Sequence, residues 1–343
     1  MNIRRNPAGA GHSGASGSKR RPDDMSIGVQ CEKKQKKAPF LKRLNDWAKL
    51  NGGITQPKIK KAVDKIQEAY LDESCIRLEL DGLDLTTIPP LDGVSQLESL
   101  SLCSNKLSKL QEGDFEGLTN LRCLHLSNNQ LSEIATGSFK NLTKLNELLL
   151  DDNKLGNLNA GTFKDLRNLS ALSLQTNVLT TLEPGTFAGL TNLQALSLQE
   201  NKLIELHESN FKDVSLLKMM FLQDNLLDKL SSSIFKGMNA FQILEFDGNY
   251  LEDSSITALR SDLQNDGLNV DVSGAFTQNE FDELSDEIEE LKQPYEGREI
   301  NTLQLCLRRQ LHSPVHFSNE HIRRSKLLAH LKRIAFERGW SSF

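Results

Sequence analysis

Cys103, Cys123 and His125 are the residues whose types and spacing come nearest to a reactive site in this 343-residue chain. Two thiolates and an imidazole are suitable zinc ligands, and a closed tetrahedral site needs a fourth. Cys123 and His125 stand two apart, so a strand would point both to one side, with Cys103 diagonal to His125 on the strand before. No fourth donor stands at a fixed spacing. The three therefore read as a small cluster of neutral side chains on an exposed face, and no metal or other cofactor is expected. The two cysteines would sit about four residues apart along neighbouring strands, too far for a disulfide. Cys306 is the other thiol of interest, because Arg308 and Arg309 would favour its thiolate. It lies in Leu303-x-Leu305-Cys306-Leu307, however, which reads as the buried side of a helix. No Gly-rich phosphate loop follows a strand, and neither a Ser-His-Asp arrangement nor a metalloprotease helix motif occurs. The expectation is a protein that is not an enzyme.

The elements that must position these side chains come from a repeat of 24 residues. Asn105, Asn129, Asn153, Asn177, Asn201, Asn225 and Asn249 recur at that spacing, as do Phe115, Phe139, Phe163, Phe187, Phe211 and Phe235. Around each asparagine the pattern is Leu-x-x-Leu-x-Leu-x-x-Asn-x-Leu-x-x-Leu, as in Leu121, Leu124, Leu126, Asn129, Leu131 and Ile134. Alternation around Leu124 and Leu126 has period 2, which predicts one short strand per repeat with leucines inward and the x residues outward. The asparagine amide both donates and accepts, so it can satisfy backbone groups that no strand ladder reaches. Replacing one by leucine would orphan such groups at about 1–3 kcal/mol. Each phenylalanine fills the back of the coil, where full burial contributes on the order of 1.5–3 kcal/mol.

This pattern resembles the leucine-rich repeat in its 24-residue form ending Gly-x-Phe-x-x-Leu, here Gly137-Ser138-Phe139 through Leu142, over roughly half the chain. The resemblance implies an α/β horseshoe solenoid with parallel strands on the concave face. A single repeat cannot bury its own apolar face, so both ends need caps. Two amphipathic helical patterns precede the repeats. Leu41, Leu44, Trp47 and Ala48 lie on one face, and Ile59, Ala62, Val63, Ile66 and Ala69 follow after Asn51-Gly52-Gly53. Trp47 reads as a core anchor. Cys75 to Pro90 form a deviant first repeat with Leu83 in the asparagine position. The order of helix, first repeat with Ile88-Pro89, then further repeats resembles bacterial effectors of the IpaH and YopM kind, delivered into host cells. Those carry shorter repeats with a Leu-Pro pair throughout, whereas Ile88-Pro89 occurs only in the first repeat here. IpaH-type proteins also attach a ubiquitin-ligase domain with a Cys-x-Asp nucleophile. Cys306-Leu307-Arg308 lacks the aspartate, and roughly 70 residues are too few for that domain.

The expected organisation is a disordered basic arm at 1–38, a helical N-terminal cap at 39–72 and about eight leucine-rich repeats at 73–250. A C-terminal cap at 251–274 and an α-helical extension at 275–343 complete it. In the C-terminal cap, Ser254 or Ser255 would open a helix carrying Ile256, Leu259 and Leu263, and Leu268, Val270 and Val272 alternate as a last strand. In the extension, Thr277 with Glu280 makes a capping box before Phe281, Leu284, Ile288 and Leu291. A basic stretch over 300–343 follows, reading as helices that pack on the acidic one or dock on a partner or an anionic surface.

The net charge of −5 conceals a segregation: residues 1–70 hold 16 basic and 6 acidic side chains, and residues 71–274 hold 15 and 29. Within the arm, Lys19, Arg20 and Arg21, then Lys33, Lys34, Lys36 and Lys37, resemble a bipartite nuclear-localisation signal for an import carrier. The competing reading is a solvated basic tail, or one that touches nucleic acid without sequence preference. The first 22 residues lack acids and are rich in small residues, which resembles the secretion leaders of bacterial effectors. No apolar run of about 18 residues and no hydrophobic N-terminal segment occurs, so the expectation is synthesis in a cytoplasm with no signal peptide and no membrane span. The five cysteines are scattered, which fits that compartment. Asn141-Leu142-Thr143 and Asn168-Leu169-Ser170 match the glycosylation sequon and read as accidents of the repeat.

The surface left for function is the outward face of the strands. Most outward positions are small and neutral. Met219, Phe221 and Ile243 break the pattern as an apolar cluster rimmed by Glu245, Asp247 and Gln223, while Leu149 stands alone in mid-face; Glu147 and His125 are further candidate contacts. That composition is that of a protein-binding hot spot. The competing reading is that the C-terminal helices cover it through Phe281 or Leu284. Three functional expectations follow: a protein partner on the concave face, in a host-delivered effector that enters a nucleus; a substrate-recognition component or small ubiquitin ligase; or a nucleic-acid or chromatin binder acting through the basic arm.

Overall fold

A computed structural model describes residues 39–268 and 270–273. Nine three-residue strands form one parallel sheet. They are β1 (Arg77–Glu79), β2 (Ser99–Ser101), β4 (Cys123–His125), β6 (Glu147–Leu149), β7 (Ala171–Ser173), β8 (Ala195–Ser197), β9 (Met219–Phe221), β10 (Ile243–Glu245) and β11 (Asp271–Ser273), adjacent in that order. Two further strands, β3 (Lys109–Leu110) and β5 (Glu133–Ile134), make a separate parallel pair on the return path of two coils. Equivalent residues of successive repeats face one another: Ser99 pairs with Cys123, Cys123 with Glu147, and Glu147 with Ala171. The chain is thus a solenoid, and each coil adds one strand to the sheet.

Strand burial follows the period-2 reading. The middle residues Leu100, Leu124, Leu148, Leu172, Leu196, Met220 and Leu244 are buried, while their neighbours face out. Behind them Phe115, Phe139, Phe163 and Phe187 stack with ring centroids 6.2, 5.9 and 6.4 Å apart and nearly parallel planes. Phe211 continues the column at 5.6 Å but tilts by 32°. In the next coil Phe235 instead meets Phe241 at 4.8 Å.

Each asparagine sews two coils together. Asn153 Nδ2 donates to the carbonyl of Leu126 in the coil before and to Leu150 in its own, both at 3.0 Å, while its Oδ1 accepts from the Leu131 amide at 3.0 Å. The same three bonds recur at Asn177, Asn201 and Asn225. Leu83 replaces the asparagine in the first coil, where no earlier coil offers a carbonyl to bond. It is buried instead, and its amide donates to Asn105 Oδ1.

The N-terminal end of the sheet is covered by two helices, α1 over residues 39–50 and α2 (Pro57–Leu71). Pro57 starts α2 with a preset φ, and the apolar stripe Ile59, Ala62, Val63, Ile66 and Ala69 is buried. Trp47 is an interior anchor whose Nε1 donates to Thr87 Oγ1 at 3.0 Å. Phe40, not singled out by the sequence pattern, packs its ring 4.6 Å from that of Tyr70. At the other end α3 (Asp253–Asn265) buries Ile256, Leu259 and Leu263, and Ser232 Oγ donates to Asp262 at 3.0 Å. The expected cap at Ser254 or Ser255 is not used. Glu252 holds the N-cap position without a side-chain capping bond, because the chain leaves its extended path two residues before Ser254. No described helix is long and apolar enough to cross a membrane. The basic arm with Lys19, Arg20, Arg21, Lys33, Lys34, Lys36 and Lys37, the expected helices after Thr277, and Cys306 lie outside the described residues.

Candidate functional site: the outward strand face

The outward strand residues form three rows across the coils. Pairing at one residue per coil fixes the rows, since a slip by one would turn the buried leucines to solvent. The first row runs Arg77, Ser99, Cys123, Glu147, Ala171, Ala195, Met219 and Ile243. The second runs Glu79, Ser101, His125, Leu149, Ser173, Ser197, Phe221 and Glu245.

These rows bring the expected site residues together in two groups. His125, Glu147 and Leu149 lie on β4 and β6, with His125 in register with Leu149. Met219, Phe221, Ile243 and Glu245 lie on β9 and β10, where Ile243 faces Met219 and Glu245 faces Phe221. Between them β7 and β8 present only Ala171, Ser173, Ala195 and Ser197. Three strand spacings separate β6 from β9, about 14 Å. The face is therefore a low saddle of alanine and serine between two raised shelves.

The apolar shelf is less open than its sequence implies. Met219, Phe221 and Ile243 are each half-buried. Neighbouring strands are about 4.8 Å apart, so large side chains in one row cover one another's flanks. Among the described residues the most exposed large apolar side chains stand elsewhere, at Leu50 (87%), Leu71 (66%), Ile54 (58%) and Ile204 (51%).

At the other shelf Glu147 Oε1 lies 3.4 Å from His125 Nε2. The approach is too poorly aligned for a hydrogen bond, and Nε2 is buried without a hydrogen-bond partner among the described residues. The contact is an ion pair only with the imidazole protonated. Cys123 is on the same side. Burial first, and the Glu147 carboxylate second, push its thiol up from the usual value. Ser101 Oγ approaches Cys103 Sγ at 3.5 Å and donates to Asp81 Oδ1 at 2.6 Å. Among the described residues no three His, Cys, Asp or Glu side chains converge to hold a metal ion.

A third row carries hydrogen bonding that sequence reasoning missed. Gln199 Nε2 donates to Gln175 Oε1, and Gln223 Nε2 donates to Glu245 Oε2. As the amides are oriented, Gln199 Oε1 and Gln223 Oε1 are buried without a donor among the described residues. Ser127 Oγ donates to Asp151 at 2.8 Å farther along the same edge. Glutamine recurring at 24-residue spacing was the available signal.

The family model described as leucine rich repeat matches residues 95–155, 143–203 and 191–251. No curated protein matches the sequence. Among solved structures the chain is similar to human 5T4 (Wnt-activated inhibitory factor 1, trophoblast glycoprotein), at 23% identity and a TM-score of 0.50, over 59% of this chain and 78% of that one. It is also similar to TLR13 in its complex with ssRNA13, at 30% identity and a TM-score of 0.38, over 46% of this chain and 26% of that one. Its 24-residue coils, asparagine bonds and phenylalanine column make this chain a leucine-rich-repeat protein over residues 95–251.

Proposed function

We propose that this protein is a binding module that holds a protein partner on its outward strand face, with the Met219, Phe221 and Ile243 shelf as the anchor. The supporting observation is the placement of these three side chains in adjacent register on β9 and β10, beside Glu245. A half-buried apolar shelf with a polar edge supplies desolvation energy at its centre and orientation at its rim. Leu149, with His125 and Glu147, makes a second contact about 14 Å away across the saddle. Both groups stand on strands and not on loops, so the partner meets a preformed surface. Delivery into a host cell and import into a nucleus belong to the same proposal. They rest on the order of helices, Ile88-Pro89 and repeats, and on the two basic clusters of residues 19–37.

The test is capture from a eukaryotic cell extract by the intact protein, by a Met219→Ser, Phe221→Ser, Ile243→Ser variant, and by a Val178→Ser, Ile204→Ser variant altered off the strand face. Circular dichroism first checks that all three are folded. A protein retained by the intact chain and the second variant but lost by the first supports the reading. Retained sets that are identical in all three would overturn it.

A further inference from the structure

We propose that the basic stretch at residues 300–343 of this chain docks on the strand face at β9 and β10 and holds it until a partner displaces it. This rests on the reading above that the face is a binding surface, and adds its regulation.

The path of the chain is the first argument. β11 is the last strand of the sheet and pairs with β10, so Ser273 lies in register with Glu245, which in turn lies in register with Phe221. The chain therefore leaves the described structure one strand spacing from β10 and two, about 10 Å, from Phe221. The 26 residues between Ser273 and residue 300 can span about 90 Å when extended, so the tether reaches every part of the face. Two groups on one chain meet at a local concentration above that of a separate partner, so the contact need not be strong.

Charge selects which part of the extension fits. The three outward rows carry Glu79, Asp81, Glu147, Asp151, Glu245 and Asp247, against Arg77 as their only lysine or arginine. Residues 280–290 hold seven acids and would be repelled. Residues 300–343 hold eight arginines and lysines against two glutamates, among them Arg308, Arg309, Arg323, Arg324, Lys326 and Lys332. The same stretch carries Leu303, Leu307 and Leu311, which suit an apolar shelf. Gln199 Oε1 and Gln223 Oε1, buried and without a donor among the described residues, sit beside that shelf, where a guanidinium or ammonium supplies donors and no acceptor.

Zero-length coupling of carboxylates to amines in the full chain, at a dilution where light scattering shows a monomer, reads the contact directly. The expected products join Glu245 or Asp247 to Lys326 or Lys332 within one molecule. An Arg308→Glu, Arg309→Glu, Arg323→Glu, Arg324→Glu variant, which leaves the repeats untouched, is expected to lose most of these links. It should also lose at least tenfold of the hydrogen-exchange protection of residues 300–343. Links that run only between molecules, links spread evenly over carboxylates off the face such as Glu112 and Asp213, or exchange unchanged in the variant would overturn the proposal. A partner captured through the strand face while these links are absent removes this inference and leaves the function standing. Links present in the intact chain, with no partner captured even by the charge-reversed variant, remove the function alone.

Discussion

Asn177 Nδ2 donates to the Leu150 carbonyl, one coil back, at 3.0 Å. The bond crosses a buried boundary between repeats that the strand ladder does not reach, and the same amide group bonds Leu174 O and Leu155 N. Asn177→Leu orphans all three groups, at about 1–3 kcal/mol for each buried group left unpaired. The urea midpoint should fall well below that of Asn249→Leu, since Asn249 makes the same bonds from a half-exposed site at the last repeat.

The residue before each asparagine turns the chain through the left-handed region. Ser104, Asn128, Asp152, Thr176, Glu200 and Asp224 all have φ between 51° and 56°. Asparagine tolerates this conformation, whereas a β-branched side chain crowds its own backbone there. Thr176→Asn is expected to stabilise the fold by up to about 1 kcal/mol, read as a higher thermal midpoint. An unchanged or lower midpoint would show that Thr176 gains a compensating contact.

Gly185 and Gly189 separate two kinds of glycine requirement. Both have positive φ, at 79° and 86°. A Cβ on Gly185 would meet only Ala188 Cβ at 3.9 Å, whereas one on Gly189 would come within 2.4 Å of the Lys164 carbonyl oxygen. Gly185→Ala pays the left-handed strain alone, about 1–2 kcal/mol. Gly189→Ala must also displace backbone, so its denaturation midpoint should drop by clearly more, and equal drops in the two variants would refute the argument.

Asp114 occupies the position where later repeats carry Ser138, Thr162 and Thr186. Its side chain accepts from the Gln111 amide at 2.6 Å, but burial outweighs that bond and raises its pKa. A carboxyl raised in the fold binds protons more readily folded than unfolded, so its penalty is present at neutral pH and is relieved as pH falls through the raised value. Asp114→Ser should therefore raise the midpoint at neutral pH, and the gain should shrink on acidification. A gain that grows in acid would contradict the cause assigned.

Cys123 offers a probe of the strand face in solution. Glu147 stands in register beside it and, after burial, does most to raise its thiol pKa, ahead of Glu98. Glu147→Gln should speed alkylation of Cys123 at fixed pH, followed by mass spectrometry of the labelled peptide, because thiolate is the reacting form. No acceleration would place Glu147 farther from the thiol than the register requires.

The coil follows from residue spacing alone. Seven asparagines and six phenylalanines in one 24-residue register specify which residues lie inside, because strand alternation and the return path leave each type one place to go. The outward placement of His125, Glu147, Leu149, Met219, Phe221 and Ile243 was legible for the same reason, but the meeting of the first three was not. How open those side chains are depends on packing between coils, since half-burial of Phe221 comes from neighbours 24 residues away in the chain. The tertiary structure alone showed the left-handed residue before each asparagine, because Ser, Asn, Asp, Thr and Glu at that position share no type that spacing could reveal. It also decided where the chain leaves the sheet, which depends on α3 carrying β11 back beside β10 and placing Ser273 next to Glu245.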